Sequence, residues 1–158
     1  MLSTASDSVV AKIAVPKNPR GMRFTSDSRG LLVASEQAHV VSRIDMADMR
    51  VVKSAPTGGG RPVDIVLTAD GTRAYVSHGQ SGDVRVLDTA SLNVITVIPT
   101  GPRTWWMALT PDGRFLYASV GRANEVAVID TQSNTVIARI ACGTLPWGVA
   151  IAEVPAGN

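Results

Sequence analysis

The chain has 158 residues, of which 45% are apolar and 18% are charged, a balance that excludes a disordered chain and predicts a globular core. A formal charge of +2 is too small to indicate binding to nucleic acid or to an anionic membrane. No apolar run is long enough for a transmembrane helix, Met1–Asp7 lacks the features of a signal peptide, and the single cysteine, Cys142, excludes an internal disulfide.

The first predicted element is a strand at Val9–Ile13. A repeat follows, visible as three series of marker residues that keep one register along the chain. Each series advances in steps of 43 or 42 residues. The series are Asp27, Asp70 and Asp112; Asp45, Asp88 and Asp130; and Pro19, Pro62, Thr104 and Pro146. A fixed period of this length is typical of arrays built from one supersecondary unit.

Within one repeat the sequence predicts four short strands separated by turns. In the middle repeat the strands are Ile65–Thr68, Ala74–Ser77, Val84–Leu87 and Val94–Ile98. Asp70-Gly71 separates the first two, and Asp-Gly between apolar runs is a strong hairpin signal because glycine tolerates positive φ. No segment keeps apolar residues at helical spacing for ten residues without a turn signal, which argues against a helical repeat.

Four strands in a period of about 40 residues are the pattern of a β-propeller blade. The predicted fold is therefore all-β, with blades of four antiparallel strands. The repeats are placed at about 26–68, 69–110 and 111–152, with partial repeats at 5–25 and 146–158.

The flanking pieces extend this pattern to about half a ring. Val9–Ile13 takes the place of a fourth strand and Gly148–Ile151 that of a first strand, so three full blades are flanked by single strands. An open half-ring exposes the apolar side faces of its end blades. The chain is then either a fragment of a longer protein or a short form that pairs with a copy of itself to close the ring.

Four segments closely resemble the YVTN-family β-propeller repeat: Pro111–Ser119, Asn124–Thr131, Asn134–Ile140 and Pro146–Ala150. The resemblance covers essentially the whole chain, is sharpest in residues 100–152, and is looser in 26–60. The last two repeats are most similar to the C-terminal blades of propellers that accompany PQQ-dependent alcohol catabolism in bacteria. The resemblance implies an exported propeller, periplasmic or extracellular, of seven or eight WD-like blades, usually without a demonstrated activity.

The loops that join successive blades share one face with the loops between strands two and three of each blade, and such loops commonly carry function. Arginine grips carboxylates bidentately and tryptophan offers a flat stacking face, so the sequence predicts an anionic or aromatic ligand at this rim. The predicted ligand-binding residues are Arg61, Arg103, Trp105, Trp106, His78, Arg122 and Trp147, and Arg20 and His39 fall in the same loops. The alternative is that the tryptophans fill gaps between blades while the arginines point to solvent.

Other polar residues have structural alternatives. Arg23 and Asp64 fall on the strand that lines the channel, where they either bind something or are solvated or paired locally. His39 and His78 lack further ligands at a fitting spacing, so no metal site is predicted. The run Gly58–Gly60 lacks the Lys-Ser/Thr of a phosphate loop and is interpreted as a flexible connector.

Three functions remain open. The first is a non-catalytic binding or scaffolding module with a protein partner or a small anionic ligand at the rim. The second is a lactonase-like hydrolase or a quinoprotein-type enzyme, for which His78 would converge with a carboxylate and Arg122 in one pocket. The third is a structural surface-layer element. No catalytic motif is found, the cofactor stays unknown, and neither nucleic acid nor a membrane span is predicted.

Overall fold

The computed structural model describes residues 1–152 and confirms the all-β fold of propeller blades. A short N-terminal hairpin precedes three four-stranded antiparallel sheets, each built from four consecutive strands, which we call blades 1, 2 and 3. The hairpin consists of β1 (Leu2–Ser3) and β2 (Ser8–Val9). Blade 1 consists of β3 (Pro19–Phe24), β4 (Gly30–Ser35), β5 (Val40–Asp45) and β6 (Arg50–Pro56). Blade 2 consists of β7 (Pro62–Leu67), β8 (Arg73–His78), β9 (Asp83–Asp88) and β10 (Val94–Pro99). Blade 3 consists of β11 (Thr104–Leu109), β12 (Phe115–Val120), β13 (Glu125–Asp130) and β14 (Thr135–Ala141), with a 3-10 turn at Gly121–Ala123.

The marker aspartates stabilise the turns that separate the strands. In blade 2, Asp70 Oδ1 accepts a hydrogen bond from the Thr72 amide at 3.0 Å. The Thr68 hydroxyl and the Thr72 amide together hold the pKa of Asp70 below its usual value of 3.8. Asp27 and Asp112 accept the equivalent amide hydrogen bonds in the other blades, at 3.0 Å each. Each blade therefore repeats the same turn, in which the aspartate carboxylate accepts a hydrogen bond from the backbone amide two residues later.

The predicted Asp-Gly hairpins form as expected. Gly71 and Gly113 have φ of 70° and 72°, the left-handed conformation that these tight turns require. Ser28 has φ of 57° at the same register position. The looser first repeat therefore keeps the turn geometry without glycine.

The blades pack face to face, with their first strands adjacent: β7 contacts β3 on one side and β11 on the other. The core lies between the blades rather than within one of them. Between blades 1 and 2 the buried residues include Leu32, Ala34, Val41, Ile65, Val76 and Leu87. Between blades 2 and 3 they include Tyr75, Val84, Ile98, Met107, Leu116 and Ile129.

The first two predicted repeats each span two blades. Residues 26–68 contain β4, β5 and β6 of blade 1 and then β7, the first strand of blade 2. The next repeat, 69–110, likewise ends on the first strand of blade 3. These two repeats therefore cross the two interfaces between the described blades and link neighbouring blades through the chain itself.

The flanking pieces differ in detail from the sequence prediction. Of Val9–Ile13, only Val9 lies in a strand, and it pairs with Leu2 of the N-terminal hairpin rather than with a blade. Gly148–Ile151 forms no strand. Part of the predicted last repeat, residues 153–158, lies outside the described residues. No helix among residues 1–152 is long and apolar enough to cross a membrane.

Candidate functional site

The loops between blades and the loops after the second strands meet at one rim, as predicted, and enclose a cleft of about 430 Å³. Ten residues from all three blades line it. They are Arg20, Glu36, Arg61, Gly79, Gln80, Pro102, Arg103, Trp105, Arg122 and Trp147. Five of the seven predicted ligand-binding residues are among them, and Trp106 and His78 are not.

Arg61 and Arg103 enter the cleft from equivalent positions, immediately before the first strand of a blade. Both have left-handed backbone conformations, with φ of 59° and 68°. The Arg61 amide donates a hydrogen bond to His39 Nδ1 at 3.0 Å. His39 therefore helps to fix the backbone that presents Arg61, which is a positioning role rather than metal binding.

Two tryptophan rings form the apolar wall of the cleft. Trp105 is buried, and its ring lies against Gly79 and Gly121; a Cβ at Gly79 would lie 3.3 Å from its Nε1. Trp147 packs on Trp105 with 4.0 Å between ring centroids and 37° between ring planes. The Arg103 guanidinium carbon lies 4.5 Å from the Trp105 ring centroid, a cation–π geometry. The cleft thus places a cation directly beside an aromatic surface.

Trp147 lies in the C-terminal segment, which forms no strand. Three hydrogen bonds join this segment to blade 3. The Leu145 amide donates to Asn124 Oδ1 at 2.9 Å, and the Cys142 amide donates to the Asn124 carbonyl oxygen at 2.9 Å. The Ser119 hydroxyl donates to the Trp147 carbonyl oxygen at 3.0 Å. Trp147 itself is 56% exposed, so its ring offers surface to a ligand.

The cleft carries an excess of positive charge. Glu36 accepts hydrogen bonds from Arg20 at 3.0 Å and from Asn18 at 3.1 Å, and this pair neutralises one end of the cleft. Within residues 1–152, no carboxylate lies at salt-bridge distance from Arg61, Arg103 or Arg122. Three guanidinium groups are therefore available to an anion.

Trp106 points away from the cleft. The β11–β12 pairing is irregular between Thr104 and Met107, the stretch that holds both adjacent tryptophans, and only Trp105 lines the cleft. Trp106 is half-buried and packs against Gly148 of the C-terminal segment. Its predicted contact with a rim ligand is not supported by this placement, whereas the packing alternative is.

His78 is fully buried and belongs to a separate network beneath the rim. Its Nε2 lies 2.7 Å from the Thr57 hydroxyl oxygen, and its Nδ1 lies 3.2 Å from Asp83 Oδ1. Arg85 donates to both oxygens of Asp83 and to the Thr57 carbonyl oxygen. The group joins blade 1 to blade 2 and does not converge with Arg122, so the geometry expected of a lactonase-like site is not met at His78.

The glycine run belongs to this network rather than forming a loose connector. A Cβ on Gly59 would lie 2.6 Å from His78 Cδ2, and one on Gly58 would lie 2.7 Å from an Arg85 nitrogen. The interpretation of Gly58–Gly60 as a flexible connector is wrong, because the glycines make room for the buried side chains. Within residues 1–152, no cluster of three His, Cys, Asp or Glu is placed to hold a metal ion.

Asp64 is buried between the first strands of blades 2 and 3. Its Oδ2 accepts a hydrogen bond from the Met107 amide at 3.0 Å, and its own amide donates to the Ser77 hydroxyl at 3.1 Å. Burial raises the pKa of Asp64, although the Met107 amide and Arg23, 3.8 Å away, oppose that effect. The local-pairing alternative therefore describes Asp64, which ties β7 to β11.

Sequence reasoning missed Glu36 and Gln80 as parts of the cleft. Gln80 precedes Arg122 by 42 residues, and Glu36 precedes Gly79 by 43, so both share the register of other lining residues. The repeat spacing, applied to the loops after the second strands, predicts both residues at the rim.

No protein-family model and no curated protein matches the chain. Solved structures do match, and they are β-propellers. The hydrazine synthase of Kuenenia stuttgartiensis is similar over 88% of this chain, with a TM-score of 0.81 and 26% identity. A putative 6-phosphogluconolactonase of Bacteroides fragilis is similar over 90%, with a TM-score of 0.80 and 20% identity. The WD40 repeats of RRP9 are similar over 81%, with a TM-score of 0.71 and 13% identity.

These likenesses define the chain as part of a β-propeller and go no further than the fold. The chain spans 41%, 44% and 40% of the three structures, respectively. Their names cover both enzymes and WD40 repeats, so the fold alone is compatible with catalysis and with binding.

Proposed function

We propose that the chain is a non-catalytic binding module that holds an anionic ligand with a flat apolar part in the rim cleft. One observation carries this conclusion: three arginines without a carboxylate partner among the described residues share a cleft with a stacked tryptophan pair. Membership of the YVTN family and a periplasmic or extracellular location are part of the same proposal.

The chemistry of the lining favours a carboxylate on a ring or a similarly flat anion. Arg61 and Arg122 are exposed and offer fork-shaped donors to an anionic group. Trp147 lies beside them and offers a face for stacking. A volume of about 430 Å³ falls in the range of small-molecule sites. An acidic side chain of a protein partner would satisfy the same donors.

A hydrolytic function has weaker support. The carboxylate that lines the cleft, Glu36, is already bound by Arg20 and Asn18. His78, which the lactonase-like alternative required, lies in a different, buried network. Neither arrangement leaves an evident general base beside the arginines.

Titration of acetate, succinate, benzoate and phthalate, followed by tryptophan fluorescence and calorimetry, tests the proposed function. We expect phthalate to bind more tightly than acetate, since it combines two charges with a ring. Arg103→Ala should weaken binding by about 10-fold or more, the effect of one lost charged hydrogen bond. Arg114→Ala is the matched control, because its guanidinium lies 5.1 Å from the Phe115 ring but outside the cleft.

Three results would contradict a binding module. The first is equal loss of binding in the Arg103 and Arg114 variants, and the second is no binding at millimolar concentrations. The third is turnover of a lactone panel above background that depends on Arg103, which would make the cleft an active site.

A further inference from the structure

The indole N–H of Trp105 has no hydrogen-bond acceptor among the described residues. Its neighbours Thr104, Trp106 and Met107 all take part in hydrogen bonds through side chain or backbone, whereas no group within residues 1–152 accepts from Trp105 Nε1. Trp105 is only 7% exposed, and a tryptophan this buried usually gives its N–H a partner. An indole can donate a hydrogen bond but cannot accept one through its nitrogen, so the group that completes it is an acceptor.

This N–H opens into the rim cleft. Four polar side-chain atoms within residues 1–152 are sealed from water without a partner, and Trp105 Nε1 is not one of them. The nitrogen therefore reaches solvent, and both Trp105 and Gly79 beside it line the cleft. A Cβ on Gly79 would lie 3.3 Å from Nε1, whereas a Cβ on Gly121 would lie 3.6 Å from Cε3 at the opposite edge of the ring. The donor thus lies at the Gly79 edge.

The repeat shows that the backbone does not require glycine at position 79. Gly79 lies 43 residues after Glu36 and 42 residues before Gly121, so three loops share this register position. Glu36 carries a long side chain there, and neither glycine has a positive φ. Glycine at position 79 instead provides space beside the indole nitrogen, which a methyl group would fill. The absent side chain therefore keeps the donor accessible from the cleft.

A charged donor lies next to this neutral one. The Arg103 guanidinium carbon is 4.5 Å from the centroid of the Trp105 ring and lies over the ring face, whereas the indole N–H lies in the ring plane. Both residues line the same cleft. A guanidinium favours a carboxylate, and a neutral N–H is satisfied by an uncharged acceptor as well. Together they fit a ligand in which a second acceptor stands beside a carboxylate.

We propose that the cleft selects planar carboxylates that carry a second hydrogen-bond acceptor next to the carboxyl group, with Trp105 Nε1 donating to that acceptor. This inference rests on the proposed function and narrows its ligand class. Pyridine-2-carboxylate, 2-oxo acids and ortho-dicarboxylates share the required pattern. A group that can only donate, such as an ammonium, would leave Nε1 unpaired and is disfavoured at this place. Trp105 is then a specificity-determining residue, and Gly79 keeps its N–H open.

Benzoate and pyridine-2-carboxylate form the probe pair, because at neutral pH they have the same charge and nearly the same shape and differ by one in-plane acceptor. Calorimetry should show that pyridine-2-carboxylate binds about 3-fold or more tightly, the contribution of one neutral hydrogen bond. Gly79→Ala should abolish this preference and change benzoate affinity less. Gly121→Ala is the matched control, since it adds the same methyl group at the same register position but against the other edge of the ring, and it should keep the preference.

Nuclear magnetic resonance gives a readout that needs no variant at position 79. The chain has three tryptophans, so a nitrogen–proton correlation spectrum shows three indole N–H resonances, and Trp106→Phe and Trp147→Phe identify the resonance of Trp105. Pyridine-2-carboxylate should move this resonance downfield further than benzoate does, because the two rings exert similar ring currents and only one of them accepts the hydrogen bond. This comparison tests the proposal even if Gly79→Ala does not fold.

The outcomes separate this inference from the proposed function. Equal affinities for the two anions, with a Trp105 resonance that responds equally to both, would overturn the inference and leave anion binding in place. A preference that survives in Gly79→Ala would assign the second acceptor to another donor. Equal loss of both anions in Gly79→Ala would place a carboxylate oxygen at the N–H and overturn the ligand class. Failure of both anions to bind would overturn the proposed function and this inference together.

Discussion

His78 Nδ1 lies 3.2 Å from Asp83 Oδ1, so a fully buried imidazole faces a nearly buried carboxylate at the junction of blades 1 and 2. Arg85 holds the same carboxylate through both of its oxygens. This network lies directly behind the rim and fixes the loop of blade 1 that leads to Arg61.

Asp83 should stabilise the fold in a pH-dependent manner. Burial raises its pKa, but His78 and Arg85 outweigh that effect and lower the pKa to about 2, from a usual 3.8. The stabilisation is therefore complete above about pH 4 and is lost as the pH falls toward 2. Asp83→Asn should lower the free energy of unfolding at pH 7 by on the order of 2 kcal/mol. Urea unfolding at pH 7 and near pH 2 should show this difference shrinking in acid, and a constant difference would contradict it.

Gly59→Ala should destabilise the chain by about 1–3 kcal/mol, since the added methyl would force His78 and Arg85 to move. Gly143→Ala is the control, because nothing lies within 4 Å of a Cβ at that position. Thermal unfolding of both variants measures the effect. Equal melting temperatures would mean that the network is looser than the geometry indicates.

Asp64→Asn should stabilise the chain at neutral pH. Burial raises the pKa of Asp64, so its charge costs stability once the pH exceeds the usual value of 3.8 and passes the folded value. Asparagine keeps an oxygen that can accept the Met107 amide hydrogen bond without that charge. The gain in melting temperature should be largest at pH 7 and should diminish at acid pH. A loss of stability at pH 7 would show that the Arg23 contact outweighs burial.

Substitution of each of the two cleft tryptophans should show which ring stabilises the fold and which contributes to ligand binding. Trp105→Ala should cost about 3–5 kcal/mol of stability, as expected for a buried aromatic residue. Trp147→Ala should change stability much less, because its ring is half exposed, yet it should weaken phthalate binding. Urea unfolding and fluorescence titration of the two variants provide both readouts. Unchanged phthalate affinity in the Trp147 variant would show that the Trp147 ring does not stack on the ligand.

The repeat register predicted most of the fold and about half of the site. Strand positions follow from local turn chemistry such as that of Asp70, which acts over a few residues and is visible in the sequence. The register also predicted that Arg61 and Arg103 would meet at one rim.

The errors concern contacts that no local pattern encodes. Trp105 lines the cleft and Trp106 does not, although both lie in the same irregular part of the β11–β12 pairing. Buried His78 contacts Thr57, which lies 21 residues earlier in the chain, in the loop between blades 1 and 2. Such contacts are decided by packing between blades, and the residue types alone leave them open.

A left-handed residue precedes the first strand of each blade, and another precedes Pro146 at the equivalent position of the C-terminal segment. Four residues share this conformation, with φ between 51° and 68°; they are Asn18, Arg61, Arg103 and Leu145. Their side chains have little in common, so the fold demands a backbone geometry there and leaves the chemistry unconstrained. The rim is thus an array of exchangeable positions on a fixed frame. Single substitutions along that array would change the chemistry of the rim, while the sheets beneath it stay unchanged.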